Sequence, residues 1–227
     1  EMLIRREEPA DIEAVDALLR EAFWNLYQPG CDEHVAARKL RDHPDCVADL
    51  KLVGVVEGTV SAYLSCSRAV VEGHESCLLA AFGPICVAPS LQGQGFGTKL
   101  INEAITRARD LGYKAVVLLG HPSYYGRFGW ESSKRFGLTA ADGSYPKGQM
   151  VLPLKPDGLL GVSGVLHFST AFEISPEEIA EVEKDLPPKE QFRTRSQVMF
   201  DIVVALQADD HFPEAFDPKA VWDRTAV

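Results

Sequence analysis

The sequence predicts an α/β fold of the α+β type, followed by an acidic helical extension. Three observations support this prediction. Strand-like segments joined by compact turns come first, a glycine-rich turn then opens the longest amphipathic stretch, and a continuous apolar segment over residues 115–119 follows. Strands combined with helical patterns indicate a sheet covered by helices. The continuous apolar segment is predicted to be a central or parallel strand, buried on both faces.

The N-terminal part of the chain predicts one strand, two helices and a hairpin. Their bounds in chain order are a strand over 3–5, helices over 12–23 and 32–41, and strands over 50–56 and 60–67. The first helix is predicted from apolar residues three and four positions apart, with Asp11 as its cap. The compact turn Glu57-Gly58 joins the two strands of the hairpin.

The next strand, predicted over residues 77–87, contains Gly83-Pro84 in its interior. Proline cannot donate a hydrogen bond to a neighbouring strand, and glycine at such a position marks a bulge or a close backbone approach. A strand that stays in the sheet but swings away from one neighbour would carry such a pair. We therefore predict an irregular strand at this point.

Three glycines, Gly93, Gly95 and Gly97, precede the longest predicted helix. Apolar residues from position 100 to 111 form one stripe of this helix, and Gly112 ends it. Glycine is costly inside regular structure, so a bare backbone is expected to face a ligand here. Consecutive amide groups at a helix N-terminus can bind phosphate without basic side chains. A turn that merely starts a helix is the alternative.

The composition changes beyond residue 154, and residues 172–227 carry 13 acidic but only 6 basic side chains. Ser175-Pro176-Glu177-Glu178 forms a capping box that predicts a helix start. The segment 198–206 favours a helix over a strand because Thr194 and Gln197 form another start signal. We therefore expect a main domain over residues 1–175 and a helical extension over residues 176–227.

The overall composition is that of a globular protein with a sizeable core. The 227 residues are 46% hydrophobic and 25% charged, which is ordinary for such proteins. The net charge of −10 argues against nucleic acid as a partner, since phosphate backbones are bound by clustered basic side chains.

The sequence predicts a cytoplasmic protein without a metal site. The longest uncharged apolar run, residues 77–89, is too short to span a bilayer, and the first residues lack the apolar core of a signal peptide. The five cysteines form no CxxC pair, and an odd number suits neither a disulfide framework nor a zinc site.

Two familiar glycine motifs fit the glycine-rich turn poorly. A dinucleotide-binding Rossmann loop would require glycine where Thr98 stands, and no acidic residue follows the next strand to bind a ribose. A phosphate-binding P-loop requires the pattern GxxxxGK[ST], which the segment from Gly93 to Lys99 does not supply.

Two blocks in order resemble the GNAT N-acyltransferase superfamily. Gln92-x-x-Gly95-x-Gly97, between the irregular strand and the long helix, resembles its acyl-CoA pyrophosphate motif. After the strand over 115–119, Tyr125-Gly-Arg-Phe-Gly-Trp130 resembles its Tyr-x-x-x-Gly-aromatic element, and Pro122-x-Tyr-Tyr-x-Arg-Phe-Gly is similar to a subgroup of predicted bacterial acetyltransferases. The resemblance implies a GNAT domain within residues 1–175, with a mixed, mostly antiparallel twisted sheet, flanking helices and splayed central strands.

The same resemblance implies acetyl-CoA as a co-substrate. Backbone groups of Ile85, Cys86 and Val87 would face the pantetheine arm, with the Val87 amide stabilising an oxyanion at the thioester. Gln92 would brace the turn. The expected pyrophosphate-binding residues are Gln92, Gly93, Gln94, Gly95, Phe96, Gly97, Thr98 and Lys99.

Tyr125 matches the general acid of this family, which protonates the departing CoA thiolate, and a phenol is protonated at neutral pH. The acceptor amine must also lose a proton, yet the irregular strand carries no acidic residue. His121, which follows the buried strand, is the first candidate base, and Glu33 and His34 are the next. Tyr124 is expected to pack elsewhere.

The predicted function is the transfer of an acetyl group from acetyl-CoA to a primary amine by direct attack in a ternary complex. The acceptor amine would belong to a small molecule or a protein. A non-catalytic protein that binds or senses acyl-CoA is the alternative, since an obvious base is missing. The extension could pack on its own domain, exchange with a partner in a homodimer, or cover the acceptor cleft.

Overall fold

The computed structural model describes residues 1–227 and shows a nine-stranded sheet with six helices. The strands are β1 (Met2–Arg6), β2 (Leu52–Val56), β3 (Thr59–Val71), β4 (Leu79–Val87), β5 (Ala115–Leu119), β6 (Glu131–Ser132), β7 (Leu138–Thr139), β8 (Gln149–Pro153) and β9 (Gly164–His167). The helices are α1 (Ile12–Phe23), α2 (Glu33–Arg41), α3 (Phe96–Asp110), α4 (Pro122–Tyr125), α5 (Pro176–Glu183) and α6 (Arg195–Ala205).

The strand order is β1-β2-β3-β4-β5-β8-β6, and β9 connects β7 to the far end of β3. Only the pairs β4–β5 and β7–β9 are parallel, and the other pairs are antiparallel. The sheet is therefore mixed and mostly antiparallel, as the family resemblance implies.

The central strand β3 shows how helices come to cover both faces of the sheet. Successive side chains of a strand point to opposite faces. Leu64 and Cys66 pack in the core cluster that contains Leu100 and Ile101 of α3. Tyr63, which directly precedes Leu64 and so points to the opposite face, belongs to the cluster built by α1. Helices α1 and α3 therefore lie on opposite faces of the same sheet.

Most predicted bounds agree with the structure to within two residues. The helix predicted over 198–206 is α6, which begins three residues earlier, directly after Thr194. The strand β3 is longer than predicted because its last residues, Val70 and Val71, pair with β9. The capping role predicted for Asp11 is wrong. Asp11 precedes α1, but its carboxylate accepts hydrogen bonds from the Arg5 guanidinium at 2.6 and 2.9 Å and from the Glu8 amide at 2.8 Å.

The parallel strands β4 and β5 diverge along their length. They pair at only three positions, the last of which joins Ala81 to Val117. Beyond it, β4 stays paired with β3 through a register shift that lies opposite Gly83-Pro84. β5 remains paired with β8 as far as Leu119. A gap therefore opens between the C-terminal halves of two neighbouring strands.

The extension over residues 176–227 packs against the connection between α1 and α2. Thr194 Oγ1 and Gln197 Nε2 donate to the Asn25 carbonyl at 2.9 and 3.1 Å. Ser196 Oγ donates to the Leu26 carbonyl at 2.6 Å. The extension also has a small apolar cluster of its own, made by Met199, Val203, Phe216, Ala220 and Val221.

All five cysteines are free thiols. No group of three His, Cys, Asp or Glu side chains is arranged so that it could hold a metal ion. None of the helices combines the length and the apolar composition that crossing a membrane requires.

Candidate functional site

The glycine-rich turn before α3 presents a row of free amide groups. Gly93 and Gly95 adopt φ angles of +78° and +84°, a left-handed conformation that glycine reaches at little cost. A Cβ atom on either glycine would meet open space, so conformation rather than crowding requires glycine here. The amides of residues 93–98 have no acceptor within the chain. Because they lie at the positive end of a 15-residue helix, the turn can bind an anion.

Two contacts fix this turn against the end of β4. Gln92 Nε2 donates to the Val87 carbonyl at 3.1 Å, which is the bracing contact predicted for Gln92. A Cβ atom on Gly97 would lie 3.2 Å from the Tyr124 hydroxyl oxygen and 3.5 Å from a Val87 methyl group. Glycine at position 97 therefore lets the start of α3 approach α4 and β4 closely.

The backbone of β4 turns toward the gap groups that no neighbouring strand pairs, and of these the Val87 carbonyl accepts from Gln92. In an antiparallel pair, successive residues direct their N–H and C=O groups alternately to the partner strand and away from it. The Ala88 amide donates to the Ser61 carbonyl of β3 at 2.8 Å. By this alternation, Ile85 and Val87 direct their backbone groups to the opposite edge, which β5 has left.

A cavity of about 530 Å³ connects the glycine-rich turn to Tyr125. Nine of the predicted binding residues line it, and Gln94 and Lys99 do not. The Gln94 side chain instead donates to the Ser90 carbonyl at 3.4 Å. The nine lining residues are Ile85, Cys86, Val87, Gln92, Gly93, Gly95, Phe96, Gly97 and Thr98.

A second cavity, of about 300 Å³, lies where β4 and β5 diverge. Phe23, Ile85 and Tyr125 line both cavities. The walls of the second cavity are mainly apolar, and Asp32 and Glu33 are its only charged residues. The two cavities therefore meet beside the exposed backbone of β4, one with free amides and the other with carboxylates.

Tyr125 stands where the cavities meet. A Cβ atom on Gly120 would lie 2.4 Å from the Tyr125 ring, so glycine at position 120 makes room for it. The ring packs edge-to-face against Trp130, with centroids 5.8 Å apart, and against Tyr124 at 4.9 Å. Burial raises the pKa of Tyr125 well above its usual value of 10. Its hydroxyl group is therefore protonated at neutral pH and can donate a proton or a hydrogen bond.

Glu33 is the first residue of α2 and borders the second cavity. Its side chain is half-buried, and its carboxylate accepts a hydrogen bond from the Asp32 amide at 3.1 Å. Burial, with the negative charge of Asp32 as a second cause, raises the pKa of Glu33 to about 8. A carboxylate with a pKa near neutral pH is suited to accept a proton from a reacting group.

His121 lines neither cavity. Its ring is only 4% exposed and lies 6.2 Å from the Tyr27 ring and 6.5 Å from the Phe200 ring, measured between centroids. Neither ring nitrogen has a hydrogen-bond partner. Burial lowers the pKa of His121 to about 4, so the ring is neutral at physiological pH.

His34 belongs to a buried network that fastens the extension to α2. Its Nε2 atom lies 2.7 Å from Glu183 Oε1, and its Nδ1 atom lies 3.5 Å from Cys31 Sγ. Arg20 binds the same Glu183 carboxylate at 2.6 and 3.0 Å and donates to the Pro187 carbonyl at 2.7 Å. His34 is therefore engaged at both nitrogens and lines neither cavity.

Seven of the 17 residues that line the first cavity were not assigned to it from the sequence, and three of these, Tyr124, Arg127 and Trp222, carry polar or aromatic groups that contact one another. Tyr124, which was expected to pack elsewhere, lines this cavity, and the Arg127 guanidinium lies over its ring at 4.3 Å. Trp222 of the extension also lines the cavity, with its ring 6.1 Å from that of Tyr124. The motif around Tyr125 was a usable signal for Tyr124 and Arg127, whereas no local signal marks Trp222.

In the second cavity, the sequence did not single out Asp32, Phe168 or Phe172. The pair of acidic residues at the predicted start of α2 was an available signal for Asp32. Phe168 and Phe172 come from the segment after β9, whose position beside α2 depends on the tertiary fold.

Comparisons with known proteins agree with this geometry. Residues 3–133 match the family model described as Acetyltransferase (GNAT) domain. The chain is 32% identical over 173 residues to the uncharacterized N-acetyltransferase YhbS of Escherichia coli strain K12, covering 75% of this chain and 98% of YhbS. The crystal structure of Escherichia coli YhbS in complex with CoA has a TM-score of 0.69 at 30% identity, covering 76% of this chain and 92% of that one. A GNAT family acetyltransferase from Brucella melitensis in complex with acetyl-CoA has a TM-score of 0.63 at 27% identity, covering 76% and 98%.

Proposed function

Since the chain belongs to the GNAT acetyltransferase family, we propose that it transfers an acetyl group from acetyl-CoA to a primary amine by direct attack in a ternary complex. The observation that carries this proposal is the meeting of two cavities at Tyr125 and Ile85, in the gap between diverging strands. One cavity would hold the acetyl donor, and the other would admit the acceptor.

Acetyl-CoA fits the first cavity by its chemistry. The free amides of residues 93–98, at the N-terminus of α3, would bind the pyrophosphate. The outward-facing backbone of Ile85 would pair with an amide group of the pantetheine arm, and the Val87 amide would face the thioester. Complexes of YhbS with CoA and of the Brucella melitensis protein with acetyl-CoA support this assignment.

Three groups of the protein would act in the reaction: a backbone amide, a hydroxyl and a carboxylate. The acceptor nitrogen attacks the thioester carbon, and the Val87 amide stabilises the oxyanion that develops. The carbon–sulfur bond then breaks, and the Tyr125 hydroxyl gives its proton to the departing thiolate. Glu33, directly or through water, takes a proton from the amine, since amines are mostly protonated at neutral pH.

We assign the base to Glu33 rather than to His121, which the sequence favoured. Glu33 borders the second cavity, and its pKa of about 8 suits it to accept a proton from an ammonium group. The buried ring of His121 lines neither cavity, and its pKa of about 4 makes it a weak base. His121 would serve to pack beneath Tyr27 and Phe200.

The test combines calorimetry with an assay of thiol release. We expect the protein to bind acetyl-CoA and to release CoA only in the presence of at least one primary amine, with N-acetyl product detected by mass spectrometry. Acetyl-CoA binding without turnover on any amine of a broad panel would support the binding or sensing protein instead.

The phosphate site is tested by Gly95→Glu, which adds bulk and negative charge at the free amides. We expect this variant to lose acetyl-CoA binding while it keeps its far-UV circular dichroism spectrum. Gly143→Glu is the matched control, because Gly143 has a similar φ of +83° and open space around it but lies outside both cavities. If Gly95→Glu still bound acetyl-CoA, the assignment of the pyrophosphate to this turn would be refuted.

A further inference from the structure

We propose that the acceptor is a compact primary amine with an aromatic or similar apolar group, held in the second cavity with its ammonium group beside Asp32 and Glu33. This inference rests on the proposed acetyl transfer and adds the class of its substrate. It follows from the wall, the charges, the size and the position of the cavity.

Six of the 14 residues that line the second cavity are aromatic, and one of them is Tyr125. Phe23 and Tyr27 contribute from α1 and the residues after it, Phe82 from β4, and Phe168 and Phe172 from the segment after β9. Transfer of an apolar group from water to such a surface is favourable, by about 25 cal/mol per Å² buried. Aromatic groups gain further from edge-to-face packing on these rings.

The charges of the cavity are of one sign. Asp32 and Glu33 stand side by side at the start of α2, and no Lys, Arg or His side chain lines the cavity. An ammonium group would find a carboxylate partner in Asp32, and its positive charge would in turn favour ionisation of Glu33. A carboxylate or phosphate on the acceptor would instead be desolvated beside two acidic residues, without a cation to pair with. The cavity therefore selects against amino acids and other zwitterions.

The volume of about 300 Å³ lies at the lower end of the range for ligand pockets. It suits a small amine better than an aminoglycoside. A polyamine would direct its further ammonium groups against the aromatic wall, where no second acidic cluster is present.

The position of the cavity gives this binding mode a catalytic consequence. The cavity shares Ile85 and Tyr125 with the proposed acetyl-CoA cavity. An amine whose ammonium group lies at Glu33 is therefore held beside the groups that act on the thioester. The apolar body then occupies the remaining space, toward Leu119 and Phe172.

Matched amines test the proposal on the full chain. Phenethylamine and phenylalanine share the aromatic group and the amine, but phenylalanine adds a carboxylate. We expect kcat/KM for phenethylamine to exceed that for phenylalanine, and that for spermidine, by at least tenfold. A higher kcat/KM for phenylalanine, spermidine or a lysine peptide would overturn the acceptor class while leaving acetyl transfer intact. The absence of turnover on every amine would instead overturn the proposed function and this inference with it.

Phe172→Ala tests the aromatic wall directly. Phe172 lines the cavity but packs in none of the four core clusters, so its loss should leave the fold intact. We expect KM for phenethylamine to rise about tenfold, with the Kd of acetyl-CoA unchanged. Phe192→Ala, at a partly exposed phenylalanine outside both cavities, is the control. Equal KM values in the wild type and Phe172→Ala would place the apolar group elsewhere and refute the binding mode.

Discussion

Replacing Glu33 by glutamine should make the protein more stable at alkaline pH while it abolishes most of the activity. The Glu33 carboxyl has an ordinary pKa of 4.5 when the chain is unfolded and a pKa of about 8 in the folded protein. Below pH 4.5 it is protonated in both states, so it contributes no difference. Between these two values the unfolded chain releases the proton and the folded chain retains it. The stability of the wild type therefore falls as the pH rises through this window and stays lowered above it.

The size of this effect follows from the two pKa values. Each pKa unit corresponds to about 1.36 kcal/mol, which gives an upper bound of about 5 kcal/mol. Glu33 is half-buried beside a cavity that water can enter, and this solvent screens part of the penalty. We therefore expect about 2–3 kcal/mol. Glutamine keeps an oxygen atom that can accept the hydrogen bond from the Asp32 amide, so the local contact survives the substitution.

Urea unfolding at pH 5 and pH 9 measures the effect. The free energy of unfolding of Glu33→Gln, relative to the wild type, should rise by about 2–3 kcal/mol between these pH values. Glu214→Gln, at an exposed carboxylate outside both cavities, is the control. If the difference in unfolding free energy between Glu33→Gln and the wild type were the same at pH 5 and pH 9 within about 0.5 kcal/mol, the raised pKa of Glu33 would be refuted. Its assignment as the base would then be weakened.

Three further substitutions test separate parts of the site. Tyr125→Phe should lower kcat by about 10²–10⁴-fold, the usual contribution of a general acid, with little change in the Kd of acetyl-CoA by calorimetry; unchanged kcat would exclude Tyr125 as the acid. Gly120→Ala should displace the Tyr125 ring, since the new methyl group would lie 2.4 Å from it. We expect kcat to fall at least tenfold and the free energy of unfolding to fall by about 1–3 kcal/mol. Wild-type kinetics would show that the ring can move without loss of activity. Trp222→Ala, at a side chain that is 45% exposed, should weaken acetyl-CoA binding about fivefold and change the melting temperature by no more than a few degrees. An unaltered Kd would show that the extension does not contribute to acetyl-CoA binding in the first cavity.

The parts of the fold that were predictable depend on local signals. Gly93 and Gly95 adopt positive φ angles that few other residues reach, so the turn could be located from the sequence. The capping box at Ser175 is formed as predicted, with Ser175 Oγ accepting from the Glu178 amide at 3.1 Å. Gly83-Pro84 likewise marked the point at which β4 leaves β5.

The parts that were missed depend on burial and on contacts between distant segments. The sequence favours His121 over Glu33 as the base, and only the folded environment lowers the pKa of the first and raises that of the second. Asp11 was a suitable capping residue by type, but Arg5 of the adjacent strand takes its carboxylate. Trp222 reaches the first cavity through the packing of the whole extension, which no nearby residue pattern encodes.

The short pairing of β4 with β5 has an evolutionary consequence. The groups that positions 85–87 would offer to the acetyl donor in the proposed binding mode belong to the main chain, and every residue except proline supplies them. Mutations at these positions can therefore change the side chain and preserve the use of the same donor. The proposed acceptor cavity is lined mainly by side chains, so mutations there would alter which amines fit. On the proposed binding mode, acceptor choice would change by mutation more readily than the use of acetyl-CoA.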